Sequence, residues 1–105
     1  MARPDLLEEC VGFDWDEANV QKNWERHRVT PEEAEDAFFQ EPLVLRSDVT
    51  HSRAARRYYV LGQTKSERWL FVVFTIRQKL IRVISARDTN RNERAIYATY
   101  EKNAS

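Results

Sequence analysis

Arg77 closes the apolar run Trp69 to Ile76, and Arg82 interrupts the run Leu80 to Ile84. A guanidinium stays charged at any physiological pH and offers a fork of donors that suits phosphate oxygens. Arg56, Arg57, Arg68, Arg87 and Tyr58 lie near this stretch in sequence, and the chain has two histidines, His27 and His51. Such residue types could cleave RNA without a metal. A base would take the ribose 2′-OH proton, an acid would protonate the leaving 5′ oxygen, and cations would stabilise the charge that builds in between. His27 or His51 could act as base or acid near neutral pH. Arg77, Arg82 and Arg57 or Arg56 would carry the positive charge, with Arg68 and Arg87 as further RNA contacts. Tyr58 or Trp69 could stack an unpaired base.

Each of these residues has a structural explanation that competes with the chemical one. His27 completes an apolar spacing on a helix, and His51 beside Ser52 suits a loop cap. Arg82 could pair with a carboxylate of the acidic N-terminal half, although an arginine inside an apolar strand favours a binding role. Arg91 and Arg94 are interleaved with Glu93 and read as a solvated helix face. Two separated histidines and the lone Cys10 give no metal-ligand spacing, so neither metal nor cofactor is expected.

The elements that must position these groups follow from pattern. Trp69–Ile76 and Leu80–Ile84 are rich in β-branched and aromatic residues and read as adjacent strands joined by a two-residue turn. That turn pairs Arg77 with Leu80, Thr75 with Arg82 and Phe71 with Ala86, so Thr75, Arg77 and Arg82 share a face. Carrying the count back with Gln63 opposite Arg68 adds Arg56 and Tyr58 to it, whereas a one-residue slip would substitute Arg57 for Arg56. Upstream, Asp16 can cap a helix over residues 17–27 whose packed stripe is Val20, Trp24 and His27. Thr30, Pro31 and Glu33 form a second helix start, with Ala34, Ala37 and Phe38 on its inner face. Leu43–Arg46 is a short strand, and residues 47–52 form a polar loop. Asp88, Thr89 or Asn90 caps a last helix that packs through Ile96 and Tyr100. The class is α+β: two N-terminal helices, about four antiparallel strands and a C-terminal helix.

Length and charge bound the rest. A chain of 105 residues makes one domain, with residues 1–11 expected to be loose. No apolar run approaches the roughly 18 residues of a membrane span and no secretory pattern opens the chain, so a cytoplasmic protein without membrane contact is expected. Zero net charge conceals an asymmetry: residues 1–50 hold five Lys/Arg against thirteen Asp/Glu, and residues 51–105 hold twelve against four. The basic half suits a polyanion, unless the acidic helices fold back over it.

An ordered series of segments carries a family resemblance. Phe13-Asp14-Trp15-Asp16, His27 with Val29, Glu33-Ala34, Asp48-x-x-His51-Ser52, Arg57, Gly62, Thr75-x-Arg77, Ile81 through Arg87, Glu93 and Tyr97 resemble the BrnT toxins over about residues 13–100. The resemblance implies a RelE-like α+β ribonuclease toxin of a type II toxin–antitoxin system that inhibits translation. It also implies a BrnA-like ribbon-helix-helix antitoxin as partner, RNA as substrate, and operator DNA reached through the antitoxin. The chain departs from the family at three points. Arg26-His27-Arg28 replaces Lys-His-Gly, Ala55-Arg56 stands where one or two Glu precede the arginine, and Gln78 replaces the glycine after Thr-x-Arg. The missing Glu leaves two expectations: a ribonuclease in which a histidine or the arginines cover for it, or a weakened toxin that acts mainly as an antitoxin-binding co-repressor.

Overall fold

In the computed structural model, which describes residues 5–40, 43–48 and 56–104, the central hairpin is β4 (Trp69–Arg77) and β5 (Leu80–Asp88). Gln78 and Lys79 join them with φ of 53° and 64°. Two consecutive left-handed residues make the hairpin turn whose twist matches that of paired strands. Neither is the Asn or Gly that adopts this geometry with little steric cost. Gln78→Asn with Lys79→Gly is therefore expected to stabilise the fold by about 1 kcal/mol. Thermal melts should show a Tm roughly 4–8 °C higher.

The sheet has five strands in the order β1-β5-β4-β3-β2, with β1 (Gly12–Phe13), β2 (Val44–Asp48) and β3 (Arg57–Gln63) completing it. Four strands run antiparallel as expected, and β1 adds a short parallel strand, Gly12 and Phe13 pairing with Leu80 and Ile81. The chain then leaves the ladder after Asp14, whose N–H still donates to the Ile81 carbonyl at 2.9 Å.

Beyond that point α2 (Glu17–His27) takes over the open edge of β5. Asn19 donates from its amide to the Val83 carbonyl at 3.4 Å, and the Ala86 N–H donates to the Asn23 side-chain oxygen at 3.2 Å. Two side chains thus stand in for a neighbouring strand and cover backbone groups that would otherwise be open. This corrects the expected stripe at Trp24, whereas Val20 and His27 are half-buried. An edge must be met by amides, so Asn23 is buried while Trp24 is 46% exposed, with the Arg28 guanidinium 5.2 Å above its ring.

Asp16 caps α2 as expected, accepting from the Ala18 N–H at 2.8 Å. The start of α3 (Pro31–Asp36) is a full capping box: Glu33 N–H donates to Thr30 Oγ1 at 3.2 Å, and Thr30 N–H to Glu33 Oε1 at 3.1 Å. Ala34, Ala37 and Phe38 are buried against Val60, Val72 and Phe74. Gly62 is needed here, because a Cβ would collide with the Ala37 carbonyl. The N-terminal segment expected to be loose contains α1 (Asp5–Glu8), with Leu7 in the same core.

The opposite sheet face is covered at one end by α4 (Arg91–Ala104). Asn90 is the cap, exchanging hydrogen bonds of 2.9 Å with Glu93 in both directions. Tyr97 is 1% exposed and meets Trp69 edge-on at 4.4 Å between ring centres, whereas Ile96, one of the two expected packing residues, is 45% exposed and the side chain of the other, Tyr100, lies outside those described. No helix among the described residues is long and apolar enough to cross a membrane.

Candidate functional site

Where α4 stops covering the sheet, its face is lined by cations. Thr75 lies opposite Arg82 and Arg77 opposite Leu80, as the two-residue turn requires. Thr75, Arg77, Arg82 and Ile84 border a shallow open depression with the edge of Ile76. Further along, a bulge changes the count. Val73 pairs with Ser85 but Phe74 with Val83, which leaves Ile84 as the extra residue. The expected pair of Phe71 with Ala86 is therefore replaced by Phe71 with Arg87.

The register of β3 also differs by one residue from the expectation. Thr64, rather than Gln63, meets Arg68: its N–H donates to the Arg68 carbonyl at 2.8 Å, and Glu67 closes the three-residue loop with φ of 68°. Gln63 thus pairs with Trp69, and Arg57 and Tyr59 share the parity of Thr75, Arg77 and Arg82. Tyr58 faces the other way, packed on the main core and stacked on Phe74 at 5.6 Å. Arg56 is exposed just before β3, and its carbonyl accepts from the Thr75 hydroxyl at 2.8 Å. Tyr59, half-buried and stacked on Phe71 at 5.0 Å, is the aromatic ring next to the arginines. Correct loop length was the one signal that could have identified it.

Arg82 is half-buried, with its Nη2 3.1 Å from Asp16 Oδ2. The Ala18 amide and then Arg82 hold the Asp16 carboxyl below its usual range, so it is ionised at neutral pH. Arg77 is exposed at the tip of the hairpin. Arg57 is half-buried, and Asp48 is its partner position across the β2–β3 ladder.

Of the remaining sequence candidates, Arg87 shares this sheet face but is engaged at the end covered by α4, and Arg68 and His27 lie elsewhere. Arg68 binds the end of α2, α3 and the end of β5 together: it donates to the His27 and Arg28 carbonyls at 2.9 and 2.8 Å, and pairs with Glu33 and Asp88. Arg87 makes two hydrogen bonds to Glu93, at 2.9 and 2.8 Å, with its guanidinium 4.3 Å above the Phe71 ring. Burial works against ionisation of Glu93, but Arg87 and the Asn90 amide outweigh it and leave its carboxyl below the usual range. His27 ends α2, whose start holds Asp16 against Arg82; eleven helical residues separate the two ends by about 16 Å. His27 lies instead near Asp88, the carboxylate bound by Arg68. His51 lies outside the described residues and follows Asp48 by three positions.

Cys10 is half-buried, and burial raises its thiol pKa, the reverse of what a nucleophile needs. Among the described residues no three His, Cys, Asp or Glu side chains are grouped to hold a metal ion.

Comparison with known families places this geometry. The family model of the ribonuclease toxin BrnT, of type II toxin–antitoxin systems, matches residues 15–93. The chain belongs to the BrnT family. No curated protein matches it in sequence. Among solved structures it is similar to the Brucella abortus ribonuclease toxin BrnT, with 20% identity and a TM-score of 0.52 over 77% of this chain and 99% of that one. That likeness is one of fold. Membership of the BrnT family also gives meaning to two left-handed residues. Arg28 and Gln78, the two positions at which the resemblance drawn from sequence calls for glycine, have φ of 55° and 53°. Glycine is the residue that adopts this backbone conformation without steric cost.

Proposed function

We propose that this BrnT-family chain is a metal-independent endoribonuclease that inhibits translation and uses the open sheet face as its RNA-phosphate site. The observation that carries the reading is the common parity of Arg57, Arg77 and Arg82, with Thr75 between them and Tyr59 beside them. Arginines on a rigid sheet can bind the phosphodiester and stabilise the extra negative charge of the transition state without reorganising. Tyr59 offers its ring to a neighbouring base. His51 is the preferred proton-transfer residue, because it follows Asp48, the position across from Arg57, whereas His27 sits at the far end of α2. The base removes the 2′-OH proton, the 2′ oxygen attacks phosphorus, and the 5′ oxygen leaves with a proton. The products are a 2′,3′-cyclic phosphate and a 5′-hydroxyl end.

The family's toxin–antitoxin setting implies an antitoxin partner. We assign this partner to the BrnA-like ribbon-helix-helix class, which would neutralise the toxin in the cytoplasm and carry the complex to operator DNA. A second reading, a toxin fold kept as antitoxin-binding co-repressor, draws on Ala55 and Arg56 standing where relatives carry Glu.

The test is incubation of purified, antitoxin-free protein with a defined single-stranded RNA in the presence of a chelator. Cleavage with cyclic-phosphate ends, lost in His51→Ala and kept in His27→Ala, is the expected result. An intact RNA together with tight antitoxin and operator binding would establish the co-repressor reading instead.

A further inference from the structure

We infer that Asp16 is a positioning residue for Arg82, holding one end of the guanidinium so that its remaining donors face the RNA phosphate. The inference rests on the ribonuclease reading of the open face. Its starting point is the division of labour within one carboxylate. Asp16 Oδ1 accepts from the Ala18 N–H at 2.8 Å and so caps α2, while Oδ2 accepts from Arg82 Nη2 at 3.1 Å. The Ala18 N–H is met by Oδ1 and the Asn19 N–H also bonds the carboxylate, while Oδ2 is the oxygen that reaches Arg82.

The mount is rigid on both sides. Trp15 donates its indole N–H to Glu35 Oε2 at 2.7 Å, Asp14 donates its N–H to the Ile81 carbonyl at 2.9 Å, and Asp16 itself begins α2. The strand below is equally fixed, with Arg82 paired across the ladder with Thr75, whose hydroxyl is tied to the Arg56 carbonyl at 2.8 Å. An arginine has several rotatable bonds, and a charged anchor at Nη2 confines them before substrate arrives. Asp16 takes one N–H of Nη2, so one of the two guanidinium forks, Nη2 with Nε or Nη2 with Nη1, stays complete for a bidentate phosphate contact. Stability is a poor explanation for the pair: the side chains are 30% and 36% exposed, and solvent-screened pairs of this kind contribute little.

The experiment uses Asp16→Asn and Asp16→Ser, since both residues cap helices nearly as well as Asp while neither carries the charge. Three readouts are compared with wild type: the thermal melt, KM and kcat for a defined single-stranded RNA, and the Arg82 Nε–H resonance in NMR spectra. Melts within a few degrees of wild type, near-constant KM, a kcat about tenfold lower and an averaged Arg82 resonance are expected. Asp16→Asn in an Arg82→Ala background should add nothing further, because the two act as a unit. Wild-type kcat and an unchanged Arg82 resonance in both Asp16 variants, with Arg82→Ala impaired, would overturn the role of Asp16 and leave the site standing. Undiminished cleavage by Arg82→Ala itself would remove the site and, with it, this inference.

Discussion

Arg82→Ala is expected to lower RNA cleavage by about 100- to 1,000-fold, the cost of removing one preorganised group that stabilises transition-state charge. The fold should survive. Arg82 lies on the open face and its ion pair with Asp16 is solvent-screened, so the melt should stay within a few degrees of wild type. Asp16 also keeps its capping bond to the Ala18 N–H when Arg82 is gone. Arg82→Lys separates charge from geometry. It restores a cation but not the planar fork, so its activity should fall between that of alanine and wild type. Single-turnover cleavage of a defined RNA, paired with a thermal melt, checks both statements. Wild-type rates in Arg82→Ala would exclude the open face as the catalytic surface.

What sequence could and could not reveal about this face follows from where register is set. The pairs Arg77–Leu80 and Thr75–Arg82 were legible because a two-residue turn fixes them locally, whatever happens further away. Phe71 was misplaced because the bulge at Ile84 adds a residue that no residue type announces. Tyr58 and Tyr59 exchanged faces because the Thr64–Arg68 loop closes with left-handed Glu67, where a glycine would have signalled the turn. The class and the order of helices and strands from α2 onward were visible in caps and apolar runs, whereas α1 and the parallel strand β1 were not. The buried face of α2 was not, since apolar spacing cannot identify a helix that meets a strand edge through Asn19 and Asn23. Arg68 and Arg87 show a further limit. Composition marks them as cations, and only their acceptors, Asp88 with Glu33 and Glu93, distinguish a clamp from a phosphate contact.

That distinction makes Arg68→Ala the strongest test of stability. The guanidinium serves two backbone carbonyls at the end of α2, a carboxylate that also caps α3, and a carboxylate at the end of β5. Its loss removes bonds to the His27 and Arg28 carbonyls and strips Glu33 of its cation. A hydrogen bond with a charged partner contributes about 1.5–3 kcal/mol, but Asp88 is 64% exposed and screened by water. The expected cost is therefore about 2–3 kcal/mol, a fall in Tm on the order of 10 °C. Acid should reduce this difference between wild type and variant. The Arg68 hydrogen bond holds the Asp88 carboxyl below its usual value even though burial opposes it. A depressed carboxyl contributes its stability above its unfolded pKa, about 3.9 for Asp, and loses it as pH falls through the lower folded value. Denaturant melts of wild type and Arg68→Ala should thus differ fully at pH 7 and converge in part below about pH 4. RNA binding by the folded variant should stay near wild type, because Arg68 directs its donors into the protein. A stable Arg68→Ala with weakened RNA binding would return Arg68 to the RNA site.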